Sequence, residues 1–244
     1  MTTIKQPFQW LFTLCMTATM LFSCNNEKKE TAKEEPVQTA DTATTMKVAP
    51  EPAFTPFDIA EISHAVKDYD KWRPLFNADS AARKASGMED IVVGRGIDKP
   101  NDVMVALKVS DVQKAKDFAA DPRLKAVMEK GGVVSKPAVN FFHVLRFDAA
   151  SKEKQWVVVT HKVKDFDAWL KVFDTEGTAA RAAQGLIDVV LARGIDDSNM
   201  VHLVFDIKDL AKAKASILSE EKKKLMMSAG VEGKPVIEFY STVE

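Results

Sequence analysis

Hydrophobic and polar residues alternate along short segments of this chain. The first such segment is 58–66, where Ile62, His64 and Val66 share one face of a predicted strand. The same alternation, broken by turn residues, predicts further strands at 88–98, at 102–109 and after Pro137.

Between these strands the spacing of the apolar residues changes to that of a helix. Trp72, Leu75 and Phe76 fall on one stripe, with Asp70 as the predicted N-cap and Gly87 as the stop. Asp111 caps a second helical region. This order predicts strand-helix-strand-strand-helix-strand, the ferredoxin-like arrangement.

The whole pattern then occurs a second time, with a period of about 97 residues, the size of one small domain. One residue is inserted in the second copy before Arg181, which predicts a bulge or an early helix break at Gly177. A proline interrupts the second helical region in the first copy only, at Pro122, and this predicts a break in that copy alone. The matching positions include Asp70 and Asp167, Arg83 and Arg181, Gly87 and Gly185, Arg95 and Arg193, Asp111 and Asp209, and Gly132 and Gly230.

A ferredoxin-like sheet carries its helices on one face and leaves the other face bare, so that face must find cover. Two copies in one chain predict that the bare faces cover each other. The predicted fold class is α+β, with two tandem βαββαβ repeats, 58–148 and 155–244, packed sheet-to-sheet.

The beginning of the chain predicts export. Lys5 precedes an uncharged apolar run that is too short to span a bilayer and that ends at Leu21-Phe22-Ser23-Cys24. This segment resembles the bacterial lipobox, which implies a signal peptide over 1–23 and lipid attached to Cys24. Several acyl chains anchor a protein stably where one alone does so only marginally. We therefore expect a lipid-anchored protein of the bacterial cell envelope.

The next segment, 24–57, is rich in Lys, Glu, Thr, Ala and Pro and has no hydrophobic periodicity, so it is predicted to be a disordered tether. The other cysteine, Cys15, falls within the predicted signal peptide, which leaves no disulfide, cysteine nucleophile or cysteine metal site in the mature chain. The net charge of −1 gives no indication of nucleic-acid binding. No metal site and no cofactor are predicted.

The duplicated residues also resemble a known family. The motif His-x-Val-x-Asp-aromatic-Asp-x-Trp, the Ala-Ala-Arg…Gly helix end and the late Gly-Val…Pro are similar to the dimeric α/β-barrel superfamily, especially its antibiotic-biosynthesis-monooxygenase-like and cyclase-like members. The resemblance covers nearly all of 58–244 and implies a fused version of the usual homodimer, hence a monomeric pseudo-dimer. The superfamily includes cofactor-free oxygenases, cyclases and haem-degrading enzymes, so the fold does not choose an activity.

His64 and His161 are the candidate catalytic residues, because each lies among aliphatic residues near the end of a first strand. An imidazole in an apolar pocket can act as a general base. The alternative is that each ring hydrogen-bonds a backbone carbonyl and holds the following loop.

Arg95 and Arg193 are the candidate ligand-binding residues, since an arginine among aliphatic residues needs a partner. That partner is either a ligand carboxylate or an internal acid such as Asp98, unless the side chain reaches solvent. Arg83 and Arg181 are expected only to complement a helix dipole.

These features predict a membrane-anchored module that binds a small apolar ligand or acts as a scaffold. The alternative is a cofactor-independent monooxygenase, isomerase or cyclase acting on a hydrophobic ring compound. A third hypothesis is a protein-interaction module that uses its outer helix surfaces. Only the first two require a pocket.

Overall fold

The computed structural model describes residues 54–150 and 152–242. Its first half contains β1 (Phe57–Ala65), α1 (Tyr69–Ala78), α2 (Ser80–Ala85), β2 (Met88–Gly96), β3 (Asp102–Val109), α3 (Val112–Ala119), α4 (Pro122–Lys130) and β4 (Ala138–Phe147). Its second half contains β5 (Gln155–Val163), α5 (Phe166–Glu176), α6 (Thr178–Ala183), β6 (Leu186–Gly194), β7 (Met200–Ile207), α7 (Leu210–Ile217), α8 (Glu220–Ser228) and β8 (Val231–Thr242). The predicted signal peptide, Cys24 and most of the predicted tether lie outside the described residues.

The eight strands form one closed antiparallel barrel in the order β1-β3-β2-β8-β5-β7-β6-β4. Within each half the order is that of a ferredoxin-like sheet, β4-β1-β3-β2 and β8-β5-β7-β6. Two seams join the halves, where β2 pairs with β8 and β4 pairs with β6. The predicted fold, two tandem ferredoxin-like repeats that form a fused dimeric α/β barrel, is therefore confirmed.

Each strand presents one face to the helices and the other to the barrel interior. In β1, His64 packs under α1, whereas Ile59 belongs to an interior cluster with Phe142 of β4 and Ala192 of β6. Each half also has its own core between sheet and helices, around Trp72 in the first half and Trp169 in the second. The barrel interior thus combines residues from both halves, as the bare-face argument requires.

The first helices begin two residues earlier than the sequence suggested. Asp68 is the N-cap of α1 and accepts hydrogen bonds from the N–H groups of Asp70 and Lys71, and Asp165 caps α5 in the same way through Ala168. The predicted caps, Asp70 and Asp167, lie in the first helical turn instead. An Asp-x-Asp sequence offers two caps, and only the backbone course out of the strand selects between them.

Both helical regions of each repeat are broken in two. Gly177, with a φ of 78°, separates α5 from α6, where a break was predicted. Asp79 also separates α1 from α2 in the copy without the insertion, so the single helix predicted between Asp70 and Gly87 was wrong. The prediction of a break beside Pro122 in the first copy alone was wrong. In the second copy Ser219 caps α8 by accepting a hydrogen bond from the Lys222 N–H, and it starts a new helix without a proline.

Within the described residues, no helix combines the length and the apolar character needed to cross a bilayer.

Candidate ligand-binding site

The first half contains a large cavity between its sheet and helices α1, α3 and α4. The cavity has a volume of about 810 Å³, which falls in the range of small-molecule sites. Its lining is mainly apolar and includes Ala60, Ile62, Trp72, Phe76, Met88, Val105, Leu107, Phe118, Leu124, Val127, Met128 and Phe141. Four of its apolar lining residues, Leu75, Val127, Val134 and Val139, are exposed to solvent. This half therefore has an apolar site that opens to solvent.

The equivalent cavity in the second half has a volume of only about 60 Å³. Although Ser216 in the second repeat is smaller than its counterpart Phe118, four positions on the wall carry larger side chains in the second repeat. These are Val157 for Ala60, Leu203 for Val105, Phe205 for Leu107 and Ile217 for Ala119, and all four larger side chains are buried. The second site is therefore filled by the protein itself.

His64 lies on the wall of the large cavity and is only 7% exposed. Its ring meets Trp72 edge to face, with 5.5 Å between ring centroids, and neither ring nitrogen has a hydrogen-bond partner among the described residues. Burial lowers the pKa of His64 to about 4, so the ring is neutral at pH 7. A neutral imidazole can donate from one nitrogen and accept at the other.

His161 occupies the same position in the second half, against Trp169 at 5.6 Å, and burial also lowers its pKa to about 4. It lines the small cavity and not the large one. The alternative prediction was that each ring hydrogen-bonds a backbone carbonyl. Neither histidine does so, because the ring nitrogens of both lack partners in the part of the chain described. Of the two candidate bases, only His64 has room for a ligand beside it.

Arg95 and Arg193 line neither of these two cavities. The Arg95 Nε donates to the Pro100 carbonyl at 2.8 Å, and its guanidinium lies 4.6 Å from the centre of the Tyr69 ring. Its nearby acid is Asp70, at 3.5 Å. Arg193 likewise donates to the Ser198 carbonyl. Internal contacts thus occupy both side chains at the strand ends.

Arg83 does more than complement a helix dipole. It is 4% exposed and forms a fork with Asp90, with Nε–Oδ1 at 2.9 Å and Nη2–Oδ2 at 2.7 Å. Its guanidinium also covers the Phe76 ring at 3.7 Å. The second half repeats the fork with Arg181 and Asp188. The signal in the sequence was an aspartate seven residues after each arginine.

Arg83 also lines the cavity, so this pairing decides what the cavity can bind. The Asp90 carboxylate already binds the guanidinium through two hydrogen bonds. A second carboxylate, that of Asp79, lies nearby, with 3.9 Å between its Oδ2 and the Arg83 Nη1. The Arg83 charge is therefore not available to an anionic ligand.

A second polar group lies inside the barrel and was not predicted. Glu61 of β1 approaches His202 of β7, with 3.5 Å between Oε2 and Nε2, and the other ring nitrogen is 3.2 Å from the Thr160 hydroxyl. Burial, and secondarily the charge of Glu238, raises the pKa of Glu61 to about 8, while burial lowers the pKa of His202 to about 3. Both groups are therefore neutral near pH 7.

The repeat could not reveal this pair, because the equivalent positions hold Val158 and Met104. No cluster of three or more metal-ligating side chains occurs within 54–150 and 152–242.

No protein-family model matches the chain, and no curated protein sequence matches it. Solved structures do match. An anthrone oxidase-like protein aligns at 13% identity with a TM-score of 0.52, over 77% of this chain and 92% of that one. A candidate monooxygenase from Fusobacterium nucleatum aligns at 11% identity with a TM-score of 0.51, over 79% and 94% of the two chains.

A candidate chlorite dismutase aligns at 16% identity with a TM-score of 0.50, over 78% of this chain and 96% of that one. Identities this low establish the fold alone. The chain therefore shares the dimeric α/β-barrel fold of monooxygenase-like proteins, and its function must be argued from the site.

Proposed function

We propose that this chain is an envelope protein that binds one small apolar ligand, in the cavity of its first half. The observation that carries the proposal is the difference between the two halves, about 810 Å³ against about 60 Å³ on the same scaffold. Space that the first repeat keeps empty is not needed by the fold, because the second repeat folds with that space filled. An unfilled apolar cavity loses packing contacts, which a ligand restores.

The lining favours a ligand that is uncharged at its buried end. Asp90 satisfies Arg83, and the low pKa of His64 keeps the imidazole neutral. The remaining inner wall is aromatic and aliphatic. A hydroxyl or carbonyl group on an apolar body would bind the free nitrogens of His64 and bury the rest of its surface.

A thermal-shift screen of the folded unit, Pro50–Glu244, against uncharged apolar compounds tests this proposal. A ligand that binds only the folded state raises the melting temperature. We expect the shift to disappear in Leu107→Phe, which fills the first cavity with the side chain that the second half carries. The matched control, Phe205→Leu in the second half, should keep the shift. A shift that survives Leu107→Phe would place the ligand elsewhere and refute the proposal.

A cofactor-independent monooxygenase, isomerase or cyclase is the second candidate function. The observation that favours it is His64, a neutral and unpartnered base on the wall of an apolar cavity. The candidate monooxygenase and the anthrone oxidase-like protein of the same fold are consistent with it.

Turnover of hydroxylated polycyclic aromatics, with and without oxygen, tests this activity. General-base catalysis contributes about 10² to 10⁴-fold, so His64→Leu should reduce kcat by that factor while His161→Leu leaves it unchanged. Equal turnover in the wild type and His64→Leu would exclude His64 as the base.

We also propose that lipid on Cys24 anchors the protein to a membrane of the bacterial envelope. The support is the sequence Leu21-Phe22-Ser23-Cys24 after an apolar run. Cells fed labelled palmitate should yield labelled protein in the membrane fraction, and Cys24→Ala should abolish the label. A label that persists in Cys24→Ala would contradict the proposal.

A further inference from the structure

The two halves also differ where the last helix crosses the mouth of each cavity. In the second half, the Lys222 ammonium on α8 contacts the carboxylate of Glu176 at the end of α5. The two side chains are only 10% and 15% exposed, and Arg181 lies 3.6 Å from the same carboxylate. A charge-assisted contact therefore joins α8 to α5.

The first half lacks this contact. Its equivalent residues are Leu124 on α4 and Asp79 at the end of α1, and both line the large cavity. Among the described residues, no ion pair joins α4 to α1. The charged groups of α4 pair locally instead, Lys125 with Glu129 and Arg123 with Asp121.

Helix α4 also differs from α8 in the residues that follow it. Neither helix has a fully buried side chain, so burial does not distinguish the two. Gly131 and Gly132 follow α4, whereas α8 is followed by Ala229 and Gly230. A glycine in place of alanine gives the chain after α4 more conformational freedom.

We propose that Lys222 and Glu176 form a latch that holds the second site closed, and that Leu124 and Asp79 in the first half leave α4 free to move aside and admit a ligand. These four positions then decide which of the two helices opens easily, whereas the core side chains decide which half has room for a ligand. The choice of ligand rests on the proposed function, whereas the difference in helix mobility does not.

Hydrogen exchange in the unliganded protein tests the mobility, with the second half as an internal control. The free energy of local opening sets the rate at which backbone amides exchange. A charge-assisted hydrogen bond between two helices raises that free energy, because it must break before the helices separate. We expect the amides of α4 to exchange about tenfold or more faster than those of α8. Equal protection of the two helices would overturn the proposal, whatever the ligand.

Exchanging the latch between halves tests its role in binding. Asp79→Glu with Leu124→Lys should slow exchange in α4 and weaken binding of N-phenylnaphthylamine, an uncharged fluorescent probe, by about tenfold. Glu176→Asp with Lys222→Leu should speed exchange in α8, and Arg181 remains beside the carboxylate so that it is not left unpaired. Each exchange has a matched control. Leu124→Met changes the first-half position without adding a charge, and Lys223→Leu removes a lysine of α8 that is not part of the latch.

The outcomes separate the two proposals. If the wild type does not bind the probe but α4 exchanges faster than α8, the ligand-binding function fails and the latch stands. If the wild type binds the probe and the Asp79→Glu, Leu124→Lys protein binds it equally well with unchanged α4 exchange, the latch is refuted.

Discussion

At the scale of single residues, His64 and His161 show that equal chemistry in two copies does not make two equal sites. Both rings are buried against a tryptophan, and both have lowered pKa values. Only His64 borders an open cavity. A duplicated residue therefore identifies a fold position, and the surrounding volume decides whether a ligand can use it.

Because neither imidazole forms a hydrogen bond within the described structure, replacing one with an apolar side chain should remove no polar contact. We predict that His64→Leu and His161→Leu each change the free energy of unfolding by less than about 1 kcal/mol at pH 7, or raise it. Urea denaturation measures this. A loss of about 3 kcal/mol would mean that the ring makes a contact essential to the fold.

The sequence identified important single residues, but it did not identify contacts between residues that are distant along the chain. His64, His161, Arg83 and Arg181 were singled out from the repeat, but the arginine forks to aspartate cross a helix, a turn and a strand. Spacing alone does not bring such groups together. The contact between Glu61 and His202 was less accessible still, since it joins the two halves.

At the scale of elements, the alternation and the helical spacing predicted where the strands and helices lie. They did not predict the residues at which the helices begin and end. Asp68 rather than Asp70 caps α1, and Ser219 starts α8 without a proline. Several residues near each helix start can act as an N-cap. The course of the preceding backbone decides which of them does so.

The helices cover two cavities, and a small number of side chains sets the size of each. Changing one of these side chains should therefore change the stability of the protein. Ala119→Ile on α3 copies the second half and fills part of the first cavity, so it should raise the free energy of unfolding by roughly 0.5 to 2 kcal/mol. It should also weaken ligand binding.

The reverse change, Ile217→Ala on α7, removes a buried side chain and should lower the free energy of unfolding by about 2 to 5 kcal/mol. Urea denaturation of the two variants checks both signs. Destabilisation by Ala119→Ile would show that α3 has no space for the longer side chain and that the cavity is smaller than it appears from its walls.

At the scale of the whole molecule, the repeat and the need to cover a bare sheet face were enough to predict a fused barrel. The difference between the cavities could not be predicted, because it is the sum of several modest size differences, such as Ala60 against Val157 and Leu107 against Phe205. Each alone looks like an ordinary core variation. Their sum is visible only when the side chains are placed together.

The polar groups inside the barrel predict how the stability of the whole protein depends on pH. The pKa of Glu61 is about 8 in the folded state against 4.5 normally, so between these values the folded state binds more protons and stability falls as pH rises. The pKa values of His64, His161 and His202 are lowered from 6.5 to about 3 or 4, so these groups raise stability with pH until the unfolded histidines have lost their protons, somewhat above pH 6.5.

Three histidines outweigh one glutamate up to about pH 7, because each unfolded histidine is still half protonated at pH 6.5. We therefore predict maximal stability near pH 7 and a loss of about 0.6 kcal/mol by pH 8. Urea denaturation over pH 5–8.5 checks this. Glu61→Gln removes the titrating group and should abolish the loss above pH 7. An unchanged alkaline decline in Glu61→Gln would assign the effect to another group.

The interior clusters make the two halves parts of one folding unit. One cluster joins Ile59 and Phe142 of the first half to Ala192 of the second, and another joins Met104 to Trp156 and Tyr240. Separating the halves would expose both clusters to water, which is unfavourable in proportion to the apolar area uncovered. We therefore predict a single cooperative unfolding transition, with equal calorimetric and van't Hoff enthalpies.

Matched core substitutions on the helix side of each sheet test this cooperativity. Met88→Ala and Leu186→Ala remove equivalent buried side chains from the two separate helix-side cores, and each should lower the free energy of unfolding by about 2 to 5 kcal/mol. If the halves fold as one unit, either change moves the one transition and leaves it single. If Met88→Ala produced a second, earlier transition, the first half would be unfolding alone, and the interior clusters would be too weak to bind the halves together.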